Sequence, residues 1–205
     1  MPDRQGRVAT LNDLADFLAA QAAYVSQRTV LEYCRARTGL NWDKLFQEEP
    51  FLQSFEICRW DAYAILLPEM AELALIQMRR EGTADPQSYL PGLLEAANSA
   101  LLRHPVPAHR SSWTEGLAAI ERHLARALLA EPRPVHMMGS DASDAIFDRL
   151  PIHASLRRED REMFFNSLRF ALCRAFGDMS RRLDVLALEG ALGEPGGDHA
   201  AEPAP

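Results

Sequence analysis

Between Phe51 and Arg79 the chain offers almost no polar surface. At about 100° per residue, Phe51, Phe55, Cys58, Ala62, Ile65, Leu73 and Ile76 fall on one helical face. Leu52, Leu66 and Met70 flank that face, and Trp60, Leu67 and Met78 lie opposite it. A helix apolar nearly all the way round has to be wrapped by others, so this stretch predicts a helical bundle built about it. Pro68 removes one backbone donor and predicts a kink near the middle. Ser54, Asp61, Glu72 and Arg79 form the one polar strip and are expected at the solvent edge.

The flanking sequence supplies the wrapping helices. Thr10 reads as an N-cap, after which Leu11, Leu14, Leu18, Ala22, Val25, Thr29, Tyr33 and Ala36 hold one phase as far as a stop at Gly39. That spacing predicts a single helix over 11–38, followed by a short piece at 42–46. Further helices are expected over 88–104, over a segment opened by a Ser112/Glu115 capping box, near 141–150, and over 156–188 with Ser155 as cap. The last presents Phe165, Leu168, Leu172, Ala175, Met179 and Leu186 as its apolar face, with Gly177 a weak point. No strand-like alternation is sustained. The expected fold is therefore all-α: a single-domain bundle of about five or six helices over residues 10–189, with a kinked central helix and a disordered acidic tail over 190–205.

The net charge of −7 is unevenly spread. Asp184, Glu189, Glu194, Asp198 and Glu202 occur with no Lys or Arg from 184 onward, leaving the rest of the chain at −2. That is not the basic excess needed to neutralise many phosphates, so nucleic acid is not an expected partner. All basic residues except Lys44 are Arg, and Ala is abundant, a composition that fits a GC-rich bacterial genome. Cys34, Cys58 and Cys173 are odd in number and set in helical patterns, which reads as reduced, buried thiols and a cytoplasmic location. Asp13 and Asp16 interrupt the apolar run that a signal peptide would need, and no membrane span is expected.

No catalytic constellation emerges. None of the six histidines sits in a Glu-x-x-His pair, and there is no His-Glu-x-x-His or Cys-x-x-Cys, so neither a metal nor another cofactor is expected. Gly139-Ser140-Asp141-Ala142-Ser143 lacks the second glycine and the preceding strand of a nucleophile elbow. More informative are charges in the wrong place. Glu69 falls at the centre of the apolar face of the central helix, and Arg161 falls in the apolar arc of the last one. A buried carboxylate needs a partner, so Glu69 and Arg161 are candidates for an internal ion pair or a ligand-binding pair. Arg158 and Arg169, near Arg161, mark a candidate anion-binding edge. Arg59, Trp60, Asp61 and Tyr63 have the composition of a recognition surface, although core packing explains them equally well.

Residues 29–46 resemble the helix-turn-helix of TetR-type repressors through Thr29-Val30, Tyr33, Thr38-Gly39-Leu40-Asn41 and Leu45-Phe46. The resemblance covers under a tenth of the chain and implies an all-helical transcription regulator. Tyr24 stands near the place of the glycine expected between that family's first two helices, and the apolar stripe continues through Thr29. Asp43, Glu48 and Glu49 would repel phosphates from the recognition segment.

The leading expectation is a non-enzymatic cytoplasmic protein that works by protein–protein interaction, as adaptor, regulator or assembly factor. Its partner is another protein or a second copy of this chain. The alternative is a helical bundle that binds a small apolar ligand near Pro68, with Glu69 as polar anchor. A TetR-like regulator is the third reading.

Overall fold

A computed structural model describes residues 6–193. The elements are α1 (Leu11–Thr38), α2 (Trp42–Leu45), α3 (Glu49–Glu81), α4 (Leu90–Leu102), α5 (Thr114–Leu129), α6 (Ser140–Phe147), α7 (Ala154–Arg157), α8 (Arg161–Arg182) and α9 (Val185–Gly193). Short 3-10 turns occupy Gly39–Asn41, Pro86–Tyr89 and Val135–Met137. The fold is all-helical among the described residues, apart from one isolated bridge between Val8 and Leu183. None of these helices is long and apolar enough to cross a membrane.

The 33-residue α3 is the axis of the molecule. Leu66, Leu67, Met70, Leu73, Leu75 and Met78 are almost wholly buried, and α1, α4, α5, α6 and α8 all pack on it. Glu49 and Pro50 open the helix, where a negative charge and a missing N–H are both tolerated. It stays helical through Pro68.

α1 starts and stops where the sequence says it should. Thr10 Oγ1 accepts from the Asp13 N–H at 3.1 Å, and the Asp13 carboxylate accepts from the Thr10 N–H at 3.0 Å, closing a capping box. Gly39 ends it at φ +53°, a left-handed value that glycine adopts at little cost. Between those caps the helix is continuous through Tyr24, so residues 11–38 contain no helix-turn-helix.

The C-terminal third departs from expectation. A single helix over 156–188 is replaced by three. Asp160 stands at the first break, its carboxylate taken by the Tyr33 hydroxyl at 2.8 Å and by Arg37 at 3.1 Å. At the second break the backbone of Val8 inserts: its N–H donates to the Arg182 carbonyl, and its carbonyl accepts from the Asp184 N–H. Both competitors come from distant sequence, and no local pattern reveals them. Phe164, not Phe165, enters the core, and Leu186 is exposed.

Three smaller expectations also need correction. Ser112 accepts from the Thr114 N–H at 3.3 Å, and α5 begins one residue later than the proposed box, with Trp113 in the cap position. Asp61 and Glu72 are not at the solvent edge, since α5 and the loop before it cover them. The tail placed at 190–205 begins within a helix, because α9 extends to Gly193. Residues 194–205 lie outside the described range.

Cys34 and Cys58 are buried as expected, whereas Cys173 is only half-buried; burial pushes the Cys34 and Cys58 thiols up to about 12, which leaves them inert.

Candidate functional site

Two surfaces along α3 gather the chemistry. The first lies in its second half. Glu69 and Glu72 are three residues apart and so share a helical face. That face meets α5, which is seated on the core by Ile120, Leu124 and Leu128. His123, next to Leu124, is thereby held at the edge of the α3–α5 seam. Its Nε2 lies 2.6 Å from Glu72 Oε2, and Arg133 Nη2 lies 3.5 Å from Glu72 Oε1. Glu72 thus has a cation or hydrogen-bond partner at each oxygen.

Glu69 does not. It is only 5% exposed, and its Oε2 is buried with no hydrogen-bond partner. An orphaned buried acceptor of this kind is uncommon, because it forfeits its hydration for nothing. Glu69 lines a cleft of about 280 Å³ together with Glu72, His123, Arg126, Arg133 and Asp141. The far wall is the start of α6. There Gly139 turns the chain at φ +79°, and a side chain in its place would run into Leu172.

One ligand atom from each of Glu69, Glu72 and His123 lies within 4.8 Å of the other two. Burial raises the Glu69 carboxyl above the ordinary range; His123 opposes this and the negative charge of Glu72 reinforces it. Glu72 goes the other way. Burial would raise it, but the hydrogen bond and charge of His123, with Arg133 behind them, leave it lowered.

Arg161 is nowhere near this arrangement. It is half exposed on α8, paired with Asp144 and with Asp148 at 2.7 Å, and its guanidinium lies over the Phe147 ring. The expected Glu69–Arg161 pair is not formed. The apolar arc drawn over 156–188 assumed one helix, and the break at Asp160 removes that phase. The proposed anion edge is similarly dispersed, with Arg161 held by two aspartates and Arg169 lying over Phe165.

The second surface is in the first half of α3, where the sequence singled out four residues. The structure divides them. Tyr63 is core: it is 3% exposed and donates to the Ala100 carbonyl at 2.8 Å. Asp61 is structural, accepting from Arg110 Nε and meeting His109 Nε2, each at 3.1 Å, with Arg149 at 3.4 Å. Arg59 and Trp60 face outward along a trough of about 810 Å³ whose other walls include Phe46, Leu52, Ile57 and Pro107. Glu56 fixes both of them: its Oε1 accepts from Trp60 Nε1 at 2.9 Å, and its Oε2 lies 3.5 Å from Arg59.

No family model, curated protein or solved structure matches this chain. Its site must therefore be read from its own residues. Of those, His123 escaped sequence reasoning. A search for metal-ligand spacings looks for pairs on one helix, whereas here the carboxylates come from α3 and the imidazole from α5, 51 residues away. The usable signal was Glu69-x-x-Glu72 inside an otherwise apolar helix.

Proposed function

We propose that this chain acts by binding another protein, as a non-enzymatic cytoplasmic adaptor, regulator or assembly factor, through the trough beside Arg59 and Trp60. The observation that carries this reading is the trough itself. It joins Phe46, Leu52, Ile57 and Trp60 in one open surface, with Arg59 held on its rim. Trp and Arg side chains in such a setting are the residues that most often dominate protein interfaces.

The occupant this surface suits is a basic segment with an apolar face. Asp43, Glu48 and Glu49 are exposed around the Phe46 end, and Glu49 and Glu56 line the trough. Acidic rims of this kind steer and orient cationic partners. Apolar side chains of such a segment would enter between Phe46 and Trp60 while its basic residues met the rim.

The test uses Glu49→Lys, which reverses a charge on the rim, and Arg59→Ala, both lining the trough and both expected to change stability by less than about 1 kcal/mol. Trp60→Ala is a poorer probe, because Trp60 also packs against Tyr63 and Trp113. Native mass spectrometry of protein purified gently from its host should show a partner at fixed stoichiometry on the wild type and its loss from both variants. A partner retained by both variants, or a bare chain in every sample, sinks the proposal.

A second reading, a bundle that binds a small ligand at Glu69, draws on the orphaned Oε2. The cleft around it is lined by charged side chains, which suit an ionic occupant better than an apolar one.

A further inference from the structure

We infer that Glu69, Glu72 and His123 form a binding site for a divalent transition-metal ion, of the zinc, manganese or iron(II) class, between α3 and α5. The inference deepens the ligand-binding reading of Glu69 and does not depend on the trough at Trp60.

Four observations converge. The donor set is two carboxylates and one imidazole, hard and borderline ligands that suit zinc, manganese and iron(II) and leave no thiolate to select copper(I). The three donor atoms already lie within 4.8 Å of one another, so modest side-chain rotation brings them to the roughly 2.0–2.2 Å bonds of a zinc site. Glu69 is buried with Oε2 unpartnered, and it faces the same cleft as the other two. Nothing among the described residues answers that oxygen, and a metal ion would.

The fourth observation is charge. Two carboxylates side by side out of water repel each other, and one dication neutralises both. In the arrangement described, His123 and Arg133 serve only Glu72. An entering ion would displace the His123–Glu72 contact, taking the imidazole nitrogen and the carboxylate oxygen as ligands in place of a shared proton. The imidazole would then carry its one proton on the other ring nitrogen, and protons would compete with the ion for all three donors, so binding should weaken as pH falls. Arg133 is half exposed and free to swing outward when its counter-charge is taken.

Three protein ligands also leave the ion unsaturated on the cleft side. Asp141 is exposed at the α6 wall of the cleft, outside the group of three donors, where it can orient a metal-bound water. Three ligands with an open position is the pattern of ions that exchange or act on a bound molecule, whereas structural zinc sites are closed by four.

The experiment is calorimetric titration of the chelator-treated full-length chain with zinc chloride and, separately, manganese chloride. One equivalent of each metal should bind. Glu69→Gln preserves size and packing and should weaken binding by more than about tenfold. His123→Ala should weaken it similarly, and far-ultraviolet circular dichroism of both variants checks that each is folded. His153 is exposed, meets Ser155 beside α7 and does not line the cleft, so His153→Ala serves as the control for adventitious binding and should bind as the wild type does.

Saturable binding that Glu69→Gln leaves unchanged, or no binding of either metal at micromolar concentration, overturns the metal site. Native mass spectrometry then separates the two failures. An organic mass present on the wild type and absent from Glu69→Gln keeps the ligand-binding reading while removing the metal. No mass dependent on Glu69 removes both.

Discussion

Asp61 and Glu69 are eight residues apart on one helix, about 12 Å along its axis, and both are withdrawn from water. Their surroundings could hardly differ more. Asp61 is met by Arg110, His109 and Arg149. Glu69 has a second carboxylate for its neighbour, and that neighbour holds the nearby His123 and Arg133. Burial opposes ionisation at both positions. At Asp61 the hydrogen bonds from Arg110 and His109 overcome it and leave the carboxyl below its ordinary range, whereas at Glu69 burial prevails. Desolvation at Asp61 is offset by the fold, since the 107–110 turn and the end of α6 exist partly to supply its cations. Desolvation at Glu69 is offset by nothing on the chain. A charge fully answered from within is part of the scaffold, and one left unanswered beside a cleft is where something else belongs.

The largest effect that would sharpen this contrast is at Asp61. Asp61→Ala strands two guanidiniums and an imidazole, and should destabilise the chain by about 3 kcal/mol in urea unfolding at pH 7. A loss below about 1 kcal/mol would show the cluster to be an ordinary surface network. Glu69→Leu, measured the same way with chelator present, should have the opposite sign. It replaces an orphaned carboxylate by an apolar group of similar size, and should stabilise the protein by about 1 kcal/mol. If both substitutions destabilise by similar amounts, Glu69 has a structural partner and the contrast is lost.

How much of this the sequence carried follows from what is local. The bundle was legible because an apolar helix over 51–79 leaves few alternatives, and because Thr10, Asp13 and Gly39 signal their own helix ends. The burial of Glu69 was legible for the same reason: its phase on α3 is fixed by its neighbours. Its environment was not. His123 reaches it from α5, and the misplacement of Arg161 came from a helix that Asp160 and Val8 divide through contacts far away in sequence. Asp61 was placed at the solvent edge because helical phase records direction but not what packs there, and the Pro105–Ser111 loop covers that edge with Arg110.

Acid dependence offers a finer test, because the two carboxyls act in opposite directions. Glu69 is raised in the folded state, so its protonated form favours folding. Its contribution is complete below the unfolded value near 4.5 and is lost as pH rises through the folded value. Asp61 is lowered, so its contribution is present above the unfolded value near 3.8 and is lost as pH falls. His123, Glu72, Arg133 and Asp141 act on Glu69 and are present in both proteins of that comparison. Glu69→Gln should therefore gain stability relative to wild type as pH rises above about 4.5. Asp61→Asn should approach wild type as pH falls below about 3.8. Denaturation midpoints collected across pH 3 to 8 decide it, and parallel curves for wild type and Glu69→Gln would show that Glu69 is not held in a raised state.

The smallest effect is the most pointed, since it concerns the partner that helical phase assigned to Glu69. Arg161 is half exposed, and its pairs with Asp144 and Asp148 are surface pairs. Arg161→Ala should lose under about 1 kcal/mol, and less in high salt, because exposed ion pairs give back in side-chain ordering much of what they gain in attraction. Combined with Glu69→Gln, the two changes should add to within about 0.5 kcal/mol, as they do for sites sharing no partner. A coupling energy above that limit would restore the bond across the bundle that the structure lacks, and Glu69 would join Asp61 among the charges the fold has already answered.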